Sequence, residues 1–150
     1  MNLKDKINQD LKEAMKSGNK LRLQTIRSIR ALILEFEKSG TDKELTPDEE
    51  IKLLSGAAKK RKDSIEQYEN ANRQDLADKE KQELEIIREY LPEQLSEDEV
   101  LAEVKKLADE IGARSQQDFP KLMPKAIQKL KGQADGKLVK DCVEKVLSGN

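Results

Sequence analysis

The sequence contains no histidine, no tryptophan and a single cysteine, Cys142, among 150 residues. Without histidine it lacks the commonest general base, the usual activator of a serine or cysteine nucleophile and the most frequent metal ligand. A lone cysteine excludes an internal disulfide and any multi-cysteine metal site. Only four aromatics occur, Phe36, Tyr68, Tyr90 and Phe119, so a core must be assembled from Leu, Ile, Val and Ala. The longest apolar run, Ala31 to Leu34, is far short of the roughly 20 residues that a membrane-spanning helix needs. Met1 to Asp5 shows no apolar segment of the kind a secretory signal carries. These absences predict a cytoplasmic protein in a reducing compartment, with no membrane contact, no cofactor and no metal. A phosphate-cradling loop is missing too, because the seven glycines stand mostly alone at the ends of helical segments.

What is present is charge and helical periodicity. Charged residues make up 39% of the chain and hydrophobic ones 35%. Scattered apolar residues at that level would leave a chain disordered, but these recur at spacings of three and four. Leu3, Ile7, Leu11, Ala14 and Met15 predict a first helix from Leu3 to Ser17, capped by Asn2 and stopped by Gly18. Ile26, Ile29, Ile33 and Phe36 predict a second from Lys20 to Ser39, with Gly40 beyond it. Thr46-Pro47-Asp48-Glu49 combines a cap, a first-turn proline and an acidic third position. It opens a helix presenting Ile51, Leu54, Ala58, Ile65 and Tyr68, with Arg61 occupying a position on that stripe. Asn70-Ala71-Asn72 reads as a break before a fourth helix, Arg73 to Tyr90, presenting Leu76, Leu84 and Ile87 and ended by Pro92.

A second capping box, Ser96 to Glu99, starts a helix ended by Gly112. Ser115 to Lys131 predicts a helix made irregular by Pro120 and Pro124, and Asp135 caps a last one carrying Leu138, Val139, Cys142, Val143, Val146 and Leu147. The predicted fold class is all-α: a four-helix hairpin bundle over residues 1–92, followed by a small three-helix module over residues 96–150.

Charge is uneven along the chain. Residues 1–40 carry nine Lys/Arg and five Asp/Glu, residues 41–111 twelve and twenty-one, and residues 112–150 eight and four. An acidic middle therefore separates two basic ends. Chemistry is hard to place on this background. Ser64 follows Lys59-Lys60-Arg61-Lys62, which admits a Ser–Lys pair, yet the plainer reading is a helix surface. Abundant carboxylates need a pocket to shift their pKa values before they can catalyse. No catalytic residue is predicted. The basic C-terminal residues suit contact with RNA phosphates, while few aromatics argue against base stacking. Arg61 either runs along the stripe or pairs with a carboxylate between helices, a structural role.

From Lys59 to Glu99 the run KKRKDSIEQYENANRQDLADKEKQELEIIREYLPEQLSEDE resembles the YqeY family. The matching motifs are K-x-R-x-D-S-I-E-x-Y, which holds Arg61 and Asp63, then D-L-A-x-x-E and Y-L-P-x-Q-L, which holds Pro92. The segment KLKGQADGKLVKDCVEKVL, Lys129 to Leu147, is similar to that family's K-G-x-A-D-G-x-x-V segment. The family is also similar to the tail of the GatB chain of the aspartyl/glutamyl-tRNA amidotransferase, which helps to hold tRNA while another domain performs the chemistry. The resemblance implies an all-α bundle with a helical tail and a non-catalytic accessory role, with tRNA or a tRNA-charging enzyme as partner. Its RNA-binding candidates are Lys125, Lys129, Lys131, Gly132, Lys137 and Lys140, with Arg61, Asp63 and Pro92 as structural residues. Pro120 and Pro124 stand where the family has glycines, which removes backbone freedom and donors at those positions. An adaptor that meets a basic protein through the acidic middle, without RNA, is the alternative.

Overall fold

Each helix begins where a side chain can serve the backbone amides that no helical carbonyl reaches. The structure, a computed structural model that describes residues 2–39 and 45–149, has seven α-helices, one 3-10 turn and no strand among those residues. α1 (Leu3–Ser17) starts at Asn2, whose Oδ1 accepts the Asp5 amide at 2.8 Å, and stops at Gly18 with φ +73°. α2 (Lys20–Lys38) starts at Asn19, which accepts the Arg22 amide at 3.1 Å. The role expected of Gly40 lies outside the described residues. α3 (Pro47–Asn70) is capped by Thr46, and α4 (Gln74–Arg88) follows the turn at Ala71 and Asn72.

α5 (Glu97–Ile111) opens on a reciprocal box in which the Glu99 amide donates to Ser96 Oγ and the Ser96 amide to Glu99 Oε1, at 3.2 and 3.1 Å. A 3-10 turn, Gln116–Asp118, leads into α6 (Phe119–Lys129), and Asp135 caps α7 (Gly136–Leu147). Pro120 occupies the first turn of α6, while Pro124 lies inside it without ending it. The carbonyl that Pro124 deprives of a donor is that of Pro120, an exposed residue four positions back.

The helices sort into two compact units, Met1–Pro92 and Glu93–Asn150. In the first, α1 lies along α2 and α3 along α4, and the hairpins meet chiefly where α2 packs on α4. Ile7, Ile26, Ile29, Ile33, Leu54, Leu84 and Ile87 fill this core. In the second unit α7 packs against both α5 and α6, around Val100, Val104, Leu122, Val139, Cys142 and Val143. Residues 93–95 belong to it structurally: Gln94 Nε2 donates to the Gly132 carbonyl at 2.5 Å and the Leu95 amide to the Gln133 carbonyl at 2.9 Å.

Three stripe positions differ from the periodicity. Met15 is 57% exposed, while Asp10, only 6% exposed, joins Leu3, Ile7 and Ala14 on the buried stripe of α1. In the first turn of α4 the fully buried residue is Ala77, with Leu76 half-buried beside it. α4 also ends at Arg88, short of the expected Tyr90. Just past that end the Tyr90 hydroxyl donates to Asp10 Oδ2 at 2.5 Å, while Lys6 Nζ donates to Asp10 Oδ1 at 3.1 Å. Arg22 Nη1, 2.8 Å from Glu89 Oε2, anchors the same turn to α2.

Burial works against the Asp10 charge, but the bonds from Tyr90 and Lys6, with the charges of Lys6 and Arg22, outweigh it and hold its carboxyl below the usual range. Burial and the Asp10 bond push the Tyr90 hydroxyl well above its ordinary value. Because the folded pKa of Asp10 is depressed, its contribution is complete above the unfolded value of about 3.9 and is lost as pH falls through the folded one. Asp10→Ala is expected to cost about 1–3 kcal/mol and Tyr90→Phe about 1 kcal/mol or somewhat more, with the double variant costing less than the sum. Urea titrations at neutral pH measure this, and a pH series should show that Asp10→Asn flattens the acid limb of the stability curve.

Candidate functional site

The lysines of the second unit are set out by helical spacing. Lys121, Lys125 and Lys129 recur every fourth residue and so form one ridge on α6. The last of them reaches across to α5, with Lys129 Nζ 3.1 Å from Glu103 Oε2, so the ridge runs along the α5 flank. Lys140 lies elsewhere: with Phe119, Leu147, Gln116 and Glu144 it lines a hollow of about 490 Å³ between α7 and the 3-10 turn. Lys131 and Lys137 flank the α6–α7 turn, both exposed. Gly132 holds that turn at φ +80°, a left-handed conformation that glycine adopts without a Cβ penalty. Its carbonyl is taken by Gln94.

The fold assigns each candidate lysine to its element. It places Lys131 and Lys137 at one turn, Lys125 and Lys129 on one flank of α6, and Lys140 by the 3-10 turn. Lys145, also basic, is tied to Glu97 at 2.7 Å. Among the described residues Lys125, Lys131, Lys137 and Lys140 form no ion pair. The acidic helix α5 belongs to the same unit, so residues 93–150 hold ten Lys/Arg against eleven Asp/Glu, a net of −1. The basic tail read along the chain is neutralised once it folds.

Arg61, Asp63 and Pro92 occupy unlike positions. The Arg61 guanidinium donates from Nη2 to Ser28 Oγ of α2 at 3.2 Å, and its Nε lies 3.4 Å from Glu83 Oε2 and 3.8 Å from Glu80 Oε2 of α4. It thus pairs with carboxylates between helices, although Nε itself makes no hydrogen bond. Burial, then the neighbouring Glu83 charge, pushes the Glu80 carboxyl up against the pull of Arg61. Asp63 is on the surface, 3.1 Å from Lys59 at the i,i+4 spacing. Pro92 is exposed at the end of the first unit. Ser64 forms no hydrogen bond with the basic run before it among the described residues, and no cluster of three or more potential metal ligands occurs among them.

The periodicity missed the buried polar pair Asp10 and Thr25, the latter closed on the Leu21 carbonyl at 2.9 Å, and the strap at Gln94. Asp10 had a signal: it sits three residues after Ile7 and four before Ala14, on the apolar stripe itself.

This arrangement of helices belongs with known sequences. The family described as Yqey-like protein matches residues 4–147. The chain belongs to that family. It is 34% identical over 148 residues to "Altered inheritance of mitochondria protein 41, mitochondrial" of Pyrenophora tritici-repentis, spanning 95% of this chain and 79% of that protein. The protein of the same name from Lachancea thermotolerans is 37% identical over 107 residues, 70% of this chain and 57% of its own length. That from Candida glabrata is 36% identical over 88 residues, 58% and 48%. The family's name and theirs state no enzymatic activity. They do correct the cytoplasmic expectation, because these relatives are named as mitochondrial. A lone buried cysteine suits any reducing compartment, and so does not separate one from another.

Within the first unit, Arg61→Ala strands two part-buried carboxylates and is expected to destabilise by about 2 kcal/mol. Arg61→Lys should recover only part, because a point cation cannot serve Ser28 and both carboxylates together. Thermal denaturation of the three proteins at one pH checks the order.

Proposed function

We propose that this chain is a non-catalytic accessory protein that binds tRNA through the lysines of its second unit. The observation that carries the reading is the set of exposed lysines without ion pairs, Lys125, Lys131, Lys137 and Lys140, in a unit whose Lys129 and Lys145 are neutralised by Glu103 and Glu97. The resemblance to the tRNA-holding tail of the amidotransferase supports the choice of RNA. Contact of this kind neutralises phosphates without reading bases, so different tRNAs bind alike. The unit is close to neutral overall, which makes attraction local, short in reach and steeply screened by salt. Acidic α5 beside Lys129 sets the limit of the contact on that flank.

The alternative is an adaptor that meets a basic protein through the acidic middle. Residues 41–111 are divided between the two units, and Glu69, Glu80, Glu83, Glu85, Glu97 and Glu103 among their carboxylates already pair with Lys or Arg, which supports the RNA reading over it.

Titrating labelled tRNA at several salt concentrations tests the reading. With four lysines available, the log–log slope should be no steeper than about −3.6. Lys131→Ala and Lys137→Ala should each flatten it by roughly 0.7 to 0.9, Lys129→Ala by less, and Glu103→Gln should tighten binding by freeing Lys129. Binding that ignores salt or these substitutions sinks the proposal. For the catalytic half, the purified protein should neither release ammonia from glutamine nor amidate a mischarged tRNA. Turnover abolished by Ser64→Ala or Asp63→Ala would reverse that.

A further inference from the structure

α3 is the longest helix among the described residues, at 24, and it keeps close company only with α4. Against α2 it touches at few positions, so the two helices leave a groove between them of about 430 Å³. Leu32 of α2 and Leu53 of α3, both half-buried, line it, with Ala31 and Gly56 exposed at its mouth. Lys52 and Lys60 stand on its α3 side, and among the described residues no Asp or Glu lines it. Neither lysine forms an ion pair among those residues, whereas Arg61 at the far end is already engaged by Ser28, Glu83 and Glu80.

Gly56 is the odd residue. It lies in the interior of α3, where glycine weakens a helix relative to alanine because it has more backbone freedom to lose. Neither backbone conformation nor packing asks for it: its φ is not positive, and a Cβ built there meets no atom within 4 Å. What its missing side chain does is keep the groove open midway between Lys52 and Lys60. Those two residues are eight apart, about 12 Å along the helix, on either side of the gap.

We propose that this groove docks an acidic amphipathic helix of a partner protein. Its apolar face lies on Leu32, Leu53 and the gap at Gly56, where the absent side chain lets a helix backbone come close. Carboxylates about two turns apart on that helix meet Lys52 and Lys60. The choice of partner rests on charge complementarity: an apolar floor flanked by unpaired cations and free of carboxylates favours an anionic segment and repels a basic one.

The test uses the full chain and two fluorescent helical peptides of about 18 residues. One has leucines on one face and glutamates two turns apart; in the other those glutamates are lysines. The acidic peptide should bind and the basic one should not, by fluorescence anisotropy at physiological salt. Gly56→Leu should weaken the acidic peptide at least tenfold, and the double change Lys52→Glu with Lys60→Glu should do the same while admitting the basic peptide. Gly56→Ala serves as the folding control, since it should raise Tm by about 4 °C. Equal binding of both peptides, or binding unmoved by Gly56→Leu, overturns the proposal. Displacement of the acidic peptide by tRNA would assign the lysines to RNA and overturn it too. So would a dimer of the native chain that Gly56→Leu renders monomeric, because a second copy would then be the occupant.

Discussion

The bond between the Tyr90 hydroxyl and the Asp10 carboxylate closes the first unit. It joins the middle of α1 to the turn after α4, across 80 residues of sequence. With so few aromatics, the core is made of aliphatic stripes that pack helices pairwise, and such packing alone is tolerant of sliding and rotation. A short charge-assisted hydrogen bond is directional and defines one arrangement. It also explains why a carboxylate can stand in a stripe otherwise filled by Leu3, Ile7 and Ala14: its charge is met by a hydroxyl and an ammonium, so burial does not leave it bare. Arg22 and Glu89 hold the same turn from the α2 side, so the end of α4 is tied to two helices.

Part of the charge in this protein is spent internally. Arg61 is set between two carboxylates, Lys81 against Glu69, Lys129 against Glu103 and Lys145 against Glu97. Exposed pairs of this kind contribute little stability, but they decide which surface stays available to a ligand. A stretch that is basic along the chain becomes a nearly neutral module because α5 folds onto it. The cations left over, not the net charge of a segment, define where an anion can be held.

Much of the architecture was legible in the sequence because caps announce themselves. Asn2, Thr46, Ser96 and Asp135 begin helices, and Gly18 and Gly112 end them, each for a local reason that distant contacts do not override. The register of a stripe is less secure. Leu76 and Ala77 are neighbours 100° apart on the helix, and the closer approach of α4 to its partners selects the smaller one for the fully buried position. Met15 was drawn into its stripe by hydrophobicity, while the observed stripe runs through Asp10, whose partner is 80 residues away and invisible to any local pattern. The candidate lysines were legible as residues, but which of them an acid would neutralise, Lys129 by Glu103 for one, depended on contacts across helices. A groove has no motif at all. Its one trace in the sequence is a glycine in the middle of a strong helix, where local rules offer no use for it.

The strap formed by Gln94 and Leu95 bears on the order in which the chain comes to rest. Both residues open the second unit, yet their partners, Gly132 and Gln133, come almost 40 residues later. During synthesis the first unit has its whole complement of contacts once Leu91 and Pro92 have emerged, and it can close while the rest is still being made. The second unit cannot fasten its own beginning until the turn before α7 appears, and it cannot seal its core until Leu147 follows. The chain is therefore built to mature in sequence, with a finished bundle preceding a module that completes itself only when α7 has been made.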